Sequence, residues 1–299
     1  MRVLVGGSTG LIGSATVSLF RANGHEVTRL VRSTPKDAAS YVLWNPQTKD
    51  LDPSAVEGFD SIVHVAGENI GKGRWSAAKK ERIRTSRVDS TRLLAETFAR
   101  LAKPPKVFVV ASAIGYYGDR GGEEMTESSS AGSDFLAEVV HDWELAAKPA
   151  ADAGIRVVNL RFGVVLSTHG GALEQMLPVF RFGLGGRLGS GHQYMSWVAL
   201  DDAAGAVLHA AQTETLAGPV NAVAPNPVTN RQFTEALGAV VHRPTLFAVP
   251  AWVLRLTFGE MADATLLSST RVKPEKLIGS GYVFRYSALE DALRGALAL

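Results

Sequence analysis

The chain has 299 residues, 46% hydrophobic and 20% charged, the composition of a globular protein long enough for one large domain or two modest ones. Its 31 Lys and Arg against 29 Asp and Glu give a formal net charge of +2, so whole-chain charge makes no case for nucleic acid or a membrane surface. There is no cysteine, which excludes disulfides and thiolate chemistry, and the seven His form no H-E-x-x-H pair, so no metal site is expected.

No apolar run reaches membrane-spanning length, and Met1–Val5 runs straight into glycines with no secretory apolar region; a cytoplasmic location is expected. In chain order, Arg2–Val5 reads as a strand and Leu11–Ala22 as a helix stopped by Gly24. Strands are predicted at His25–Val31, at Ser61–Val65, and at Lys106–Ala111 after the Pro104-Pro105 break, with Trp44-Asn45-Pro46 a strand end and turn. Helical patterns fill Ala77–Ala102 and Asp134–Ala153, and strands resume at Ile155–Leu160 and Val164–Leu166. Gly170–Gly191 reads as loops around one short helix. Asp201–Gln212 is a helix and Gly218–Ala222 a strand, and capping boxes at Thr229–Gln232 and Ser287–Glu290 open two more helices. Near-continuous apolar strands alternating with helices predict an α/β, doubly wound parallel sheet of Rossmann type.

Gly7-Ser8-Thr9-Gly10-Leu11-Ile12-Gly13 is a G-x-x-G-x-x-G turn between the first strand and its helix. There, main-chain N–H groups at a helix N-terminus meet a pyrophosphate, and absent side chains allow close approach. NAD-binding folds usually end the next strand with Asp or Glu for the ribose 2′-hydroxyl, whereas NADP-binding folds use Arg for the 2′-phosphate. The stretch Thr28–Lys36 has no acid. Arg32 is the first choice for the phosphate, with Ser33 helping and Arg29 the runner-up, and the expected cofactor is NADP(H). The basic stretch Lys72–Arg87 reads mainly as a solvated helix face, with Arg74 and Trp75 the best candidates in it for a ligand contact.

These segments, together with Ile62–Ile70, Ser112–Gly118, Asp142-Trp143-Glu144, Leu160–Leu166, Ser196-Trp197-Val198 and Asn221–Pro225, resemble the extended short-chain dehydrogenase/reductase superfamily. More narrowly they resemble its atypical branch known as epimerase family proteins, whose small C-terminal domain of unknown function is matched from about Val249 to Leu297. The resemblance implies that Ala66 and Gly67 lie under the adenosine side of the dinucleotide. It implies that Arg161–Val165, including Phe162, lines the nicotinamide, and that the ligand crevice opens between the first and fourth strands. It also implies a Rossmann domain from 1–165 and 196–224, a smaller substrate domain from 166–195 and 225–299, and a homodimer through the two long helices.

Active members of the superfamily carry Tyr-x-x-x-Lys on the helix that matches Asp134–Glu144, where this chain has neither residue. Phe135 and Val139, or Glu138 and Asp142, fall at those positions, depending on register. The candidates to pass a proton are then Ser112, Tyr116 and Tyr117, on the strand end and loop at the sheet's C-terminal edge, with Glu138, His141 and Asp142 nearby. The expected function is an NADP(H)-dependent oxidoreductase acting on a small carbonyl or hydroxyl substrate. A non-catalytic NADP(H) sensor and a sugar-nucleotide epimerase stay open as alternatives.

Overall fold

The computed structural model describes residues 1–35 and 40–298; Lys36, the last residue of the basic stretch after the second strand, lies outside them. The chain builds one eight-stranded sheet from β1 (Arg2–Gly6), β2 (Glu26–Val31), β3 (Tyr41–Asn45), β4 (Asp50–Leu51), β5 (Ser61–His64), β6 (Val107–Ala113), β7 (Arg156–Phe162) and β8 (Gly218–Ala222). Their spatial order is β8-β7-β6-β5-β1-β2-β3-β4, all parallel except the short β4, which pairs antiparallel with β3. The order reverses between β1 and β5, where an open α/β sheet presents its ligand crevice. All of β5 and nearly all of β6 is buried, because helices cover both faces. On one side α1 (Leu11–Ala22) packs on α5 (Leu200–Gln212); on the other α2 (Ala77–Phe98) packs on α3 (Phe135–Ala146).

A second unit is formed by α4 (Gly171–Arg181), α6 (Asn230–Val240) and α7 (Leu289–Leu297). Its core of Leu173, Leu177, Phe180, Phe233, Leu237 and Leu293 is a cluster separate from that of the sheet. The two units interlock. Leu277 belongs to the sheet's core, and the Tyr282 hydroxyl lies 3.1 Å from both the carbonyl and Oδ1 of Asp202 on α5.

Three local expectations are corrected. The predicted helix Asp134–Ala153 breaks after Ala146, and Lys148–Asp152 forms its own turn, because Pro149 has no N–H to continue the ladder. Val164–Leu166 leaves the main sheet and pairs with Trp197–Ala199. It leaves at Gly163, where a Cβ would stand 2.5 Å from the Ser196 carbonyl oxygen. The capping box at Thr229 and Gln232 forms. The one at Ser287 and Glu290 does not: α7 is capped by Ala288 without a side-chain bond, and the Ser287 carbonyl is held by Asn226.

His64, at the end of β5, is fully buried between Gly6 and the edge of Trp44, and its Nε2 lies 2.9 Å from the Ser90 hydroxyl. Burial pulls its pKa down to about 4 from an ordinary 6.5, so the imidazole is neutral at pH 7. The unfolded chain therefore binds more protons between those two pH values, and stability falls as pH drops from 6.5 towards 4, by about 3 kcal/mol in all. Chemical denaturation across that window is expected to show this slope in the wild type and a flatter one in His64→Asn; parallel slopes refute the assignment.

Candidate cofactor and active site

The turn from β1 into α1 is too tight for side chains. Gly7 has φ +80°, and a Cβ on it would lie 2.6 Å from the Ala66 nitrogen; one on Gly13 would lie 2.1 Å from the Gly7 carbonyl oxygen. Strand, turn and helix are thus in backbone contact, and Ala66 is pressed against the same turn. Gly10 caps α1 with no side-chain bond, and the first helical turn holds no acid. The N–H groups of Leu11, Ile12 and Gly13 precede the first bond of the helix ladder, Ser14 N–H to the Gly10 carbonyl, and no carboxylate in the first turn competes for them. Thr9 is exposed and Ser8 buried beside them. The cradle fits a pyrophosphate on geometry alone.

The runner-up cation comes closest to this turn: Arg29 Nε donates to Ser8 Oγ at 3.4 Å. Arg32 and Ser33 follow the last residue of β2 and are exposed.

The loop after β5 is held from below by two cations. Arg87 donates to the carbonyls of Ile83 and Glu68, each at 3.0 Å, lies against Gly67 and sits over the Trp143 ring. Burial lowers its pKa to about 10, still charged at pH 7. Lys79 donates to Glu68 Oε1 at 2.7 Å and to the Asn69 carbonyl at 2.6 Å, and is 5% exposed. The expectation of a solvated basic face is corrected for these two residues: their heads are turned onto main-chain carbonyls of the loop and, for Lys79, onto the partly exposed Glu68 carboxylate. Trp75 Nε1 donates to the Ile70 carbonyl and its ring meets the edge of Phe135.

On the other side of the crevice lies a buried ionic network. Arg161 on β7 makes a two-pronged pair with Glu144 on α3, Nε to Oε1 at 2.7 Å and Nη2 to Oε2 at 2.8 Å. Its guanidinium carbon stands 3.5 Å from the centre of the Tyr116 ring, and Nη1 donates to the Tyr117 hydroxyl at 3.0 Å. Burial opposes the charge on Arg161, and the Glu144 carboxylate more than restores it. Ser112 Oγ donates to Glu144 Oε1 at 2.6 Å. The Tyr117 hydroxyl lies 2.7 Å from Asn221 Oδ1 and 3.0 Å from the Thr126 carbonyl. Burial raises its pKa, against the pull of Arg161.

The structure therefore brings Ser112, Tyr116, Tyr117 and Arg161 together but turns most of their polar atoms inward. Ser112 and Tyr117 are bound within the protein, Arg161 is 2% exposed and Phe162 7%. Tyr116 alone of the expected trio is partly exposed, and among the described residues its hydroxyl has no hydrogen-bond partner. Of the α3 groups, Asp142 is bonded by Arg84 of α2, Glu138 lies 3.8 Å from the same guanidinium, and His141 is exposed, so these groups join α3 to α2 or face solvent. Sequence reasoning did not single out Glu144 as the Arg161 partner. The available signal was its place four residues after Val140 and eight after Leu136, on the buried stripe of an apolar helix.

Removing one partner of a buried pair strands the other charge, at a cost of about 3–5 kcal/mol. Glu144→Gln is expected to lower stability by that order, and Glu144→Leu combined with Arg161→Met to recover most of it. Denaturant midpoints of the single and double variants decide; a single variant as stable as wild type shows the pair to be idle.

Residues 3–222 match the NAD dependent epimerase/dehydratase family, and residues 249–296 match a domain of unknown function. The human epimerase family protein SDR39U1 is 37% identical over 301 residues, covering the whole of both chains. An epimerase family protein of Mycobacterium bovis is 43% identical over 291 residues, 97% of this chain and 96% of that one. The crystal structure of human SDR39U1 (isoform 2) with NADPH superposes with a TM-score of 0.91 at 36% identity over all of both chains. That of a nucleoside-diphosphate sugar epimerase from Corynebacterium glutamicum gives 0.81 at 38%, over 99% of this chain and 58% of that one. The glycine turn, the parallel sheet that reverses beside it and the small C-terminal unit thus belong together, and the chain is a member of the NAD dependent epimerase/dehydratase family.

Proposed function

We propose that the protein is an NADP(H)-dependent oxidoreductase acting on a small carbonyl or hydroxyl compound. One observation carries the cofactor choice: the strand beside the phosphate cradle is followed directly by Arg32-Ser33, with Arg29 reaching Ser8, where an NAD site would offer a carboxylate. The human relative crystallised with NADPH supports it. The main-chain N–H groups of Leu11–Gly13 would hold the pyrophosphate, Arg32 and Ser33 the 2′-phosphate, and Ala66 and Gly67 the adenosine side.

The bound nicotinamide supplies the hydride chemistry. This chain's residues supply the proton and the walls. Tyr116 is the donor in this reading, because its ring is held by the Arg161 guanidinium while its hydroxyl has no hydrogen-bond partner among the described residues. Ser112, Tyr117 and Glu144 position that loop. The missing Tyr-x-x-x-Lys pair weighs against epimerisation, which needs an efficient base to take a hydroxyl proton.

Two measurements test this reading. Calorimetry is expected to show tighter binding of NADPH than NADH, with Arg32→Ala losing NADPH affinity by roughly ten- to a hundredfold, as for a charge-assisted contact of about 1.5–3 kcal/mol. Arg29→Ala serves as the comparison, and equal wild-type affinity for both cofactors overturns the assignment. In a carbonyl screen with NADPH, Tyr116→Phe is expected to lower turnover by about a hundredfold or more with cofactor affinity unchanged. A wild type that binds NADPH and oxidises none with any carbonyl favours a cofactor sensor instead.

A further inference from the structure

A patch of the C-terminal unit carries bare apolar side chains where a surface normally turns polar. Leu246, Phe182, Leu256 and Trp252 are 87%, 81%, 70% and 67% exposed, and Leu184 and Phe247 more than half. The fold gathers them. Gly186–Leu188 pairs parallel with Phe247–Val249, so Leu184 and Leu246 lie at the same end of that small sheet. Arg243 Nε donates to the Arg181 carbonyl at 2.9 Å and packs beside Gly183, tying the chain around Phe182 to the chain leading to Leu246. At the sheet's other end, Gly189 N–H donates to the Val249 carbonyl just before the helix Ala251–Phe258. In that helix Leu254 points into the protein, while Trp252 and Leu256, one turn apart on the opposite side, point out.

Within the two segments that build this patch the charge is of one sign. Between Glu174 and Asp201, and again between Glu235 and Glu260, the sequence has no Asp or Glu, yet those two segments carry Arg181, Arg187, Arg243 and Arg255. Arg255 pairs with Asp263; among the described residues the other three make no ion pair. The whole-chain balance of 31 cations and 29 anions averages over this segregation.

We propose that this face docks on an anionic lipid surface. Charge complementarity selects the occupant. A second copy seated face to face would bring the three arginines that make no ion pair among the described residues, Arg181, Arg187 and Arg243, against the same three. A headgroup layer instead places anions directly above an apolar phase, the order in which this patch presents Arg beside Phe, Leu and Trp. No helix among the described residues is long and apolar enough to cross a membrane, so the attachment is to the surface.

The test is co-sedimentation of the full chain with phosphatidylcholine vesicles, with and without about 30% phosphatidylserine. The expected result is binding to the anionic vesicles only, weakened by added salt. Arg181→Gln and Arg243→Gln are each expected to weaken it about fivefold, the effect of removing one basic residue from such a surface. The exposed substitutions Trp252→Ser and Leu256→Ser together are expected to abolish it, with NADPH affinity and circular dichroism unchanged. Absence of binding to anionic vesicles, equal binding to neutral ones, or full binding by the double variant overturns the proposal. Sedimentation velocity showing a dimer that the same double variant dissolves assigns the patch to self-association and also overturns it.

Discussion

A carboxylate and a guanidinium withdrawn from water must meet each other or be neutralised, and the pair formed by Glu144 and Arg161 organises one side of this protein. The pair joins α3 to β7. Through Ser112 it reaches the end of β6, through Tyr117 the loop beyond it, and through Asn221 the edge strand β8. These shared bonds fix Ser112 and Tyr117 on either side of Tyr116 and restrain the loop that carries it. A rigid support of this kind lets a single partly exposed phenol stand at a defined place over the crevice.

The cofactor side is built differently. There the determining contact is backbone on backbone, glycine against carbonyl, with no charge buried in the turn itself. Main-chain dipoles are what the turn would offer an anion, and the cations Lys79 and Arg87 hold the neighbouring loop from beneath. The two sides share the reversal of strand order between β1 and β5, which leaves both loops free of a crossing connection.

Phe135, one of the two residues that the resemblance matches to the superfamily's Tyr, has a structural occupation here. Lys80 stands over its ring at 4.3 Å and bonds Glu260 at 2.7 Å, while Trp75 packs against its edge. A contact with the C-terminal unit thus occupies one of the two positions that the resemblance matches to that Tyr. The apolar, basic outer face of that same unit is a separate specialisation, on residues that take no part in the network.

Much of the architecture was legible from residue order. Short apolar strands, the Leu11–Ala22 helix, the glycine turn and the Thr229 capping box depend on neighbours close along the chain, and local sterics and hydrogen bonds determine them. The absence of an acid after β2 is likewise a property of the sequence. Tertiary structure decided the rest, because it depends on which distant groups share a dry space. Glu144 and Arg161 are seventeen residues apart and Tyr117 and Asn221 over a hundred, and no local pattern says that they meet. Lys79 and Arg87 read as solvated until the loop above them is folded down, and Ser112 and Tyr117 read as available until their hydroxyls find partners. Hydrophobic periodicity reports which face of an element is buried; only the packed molecule determines which polar groups are buried with it, and against what.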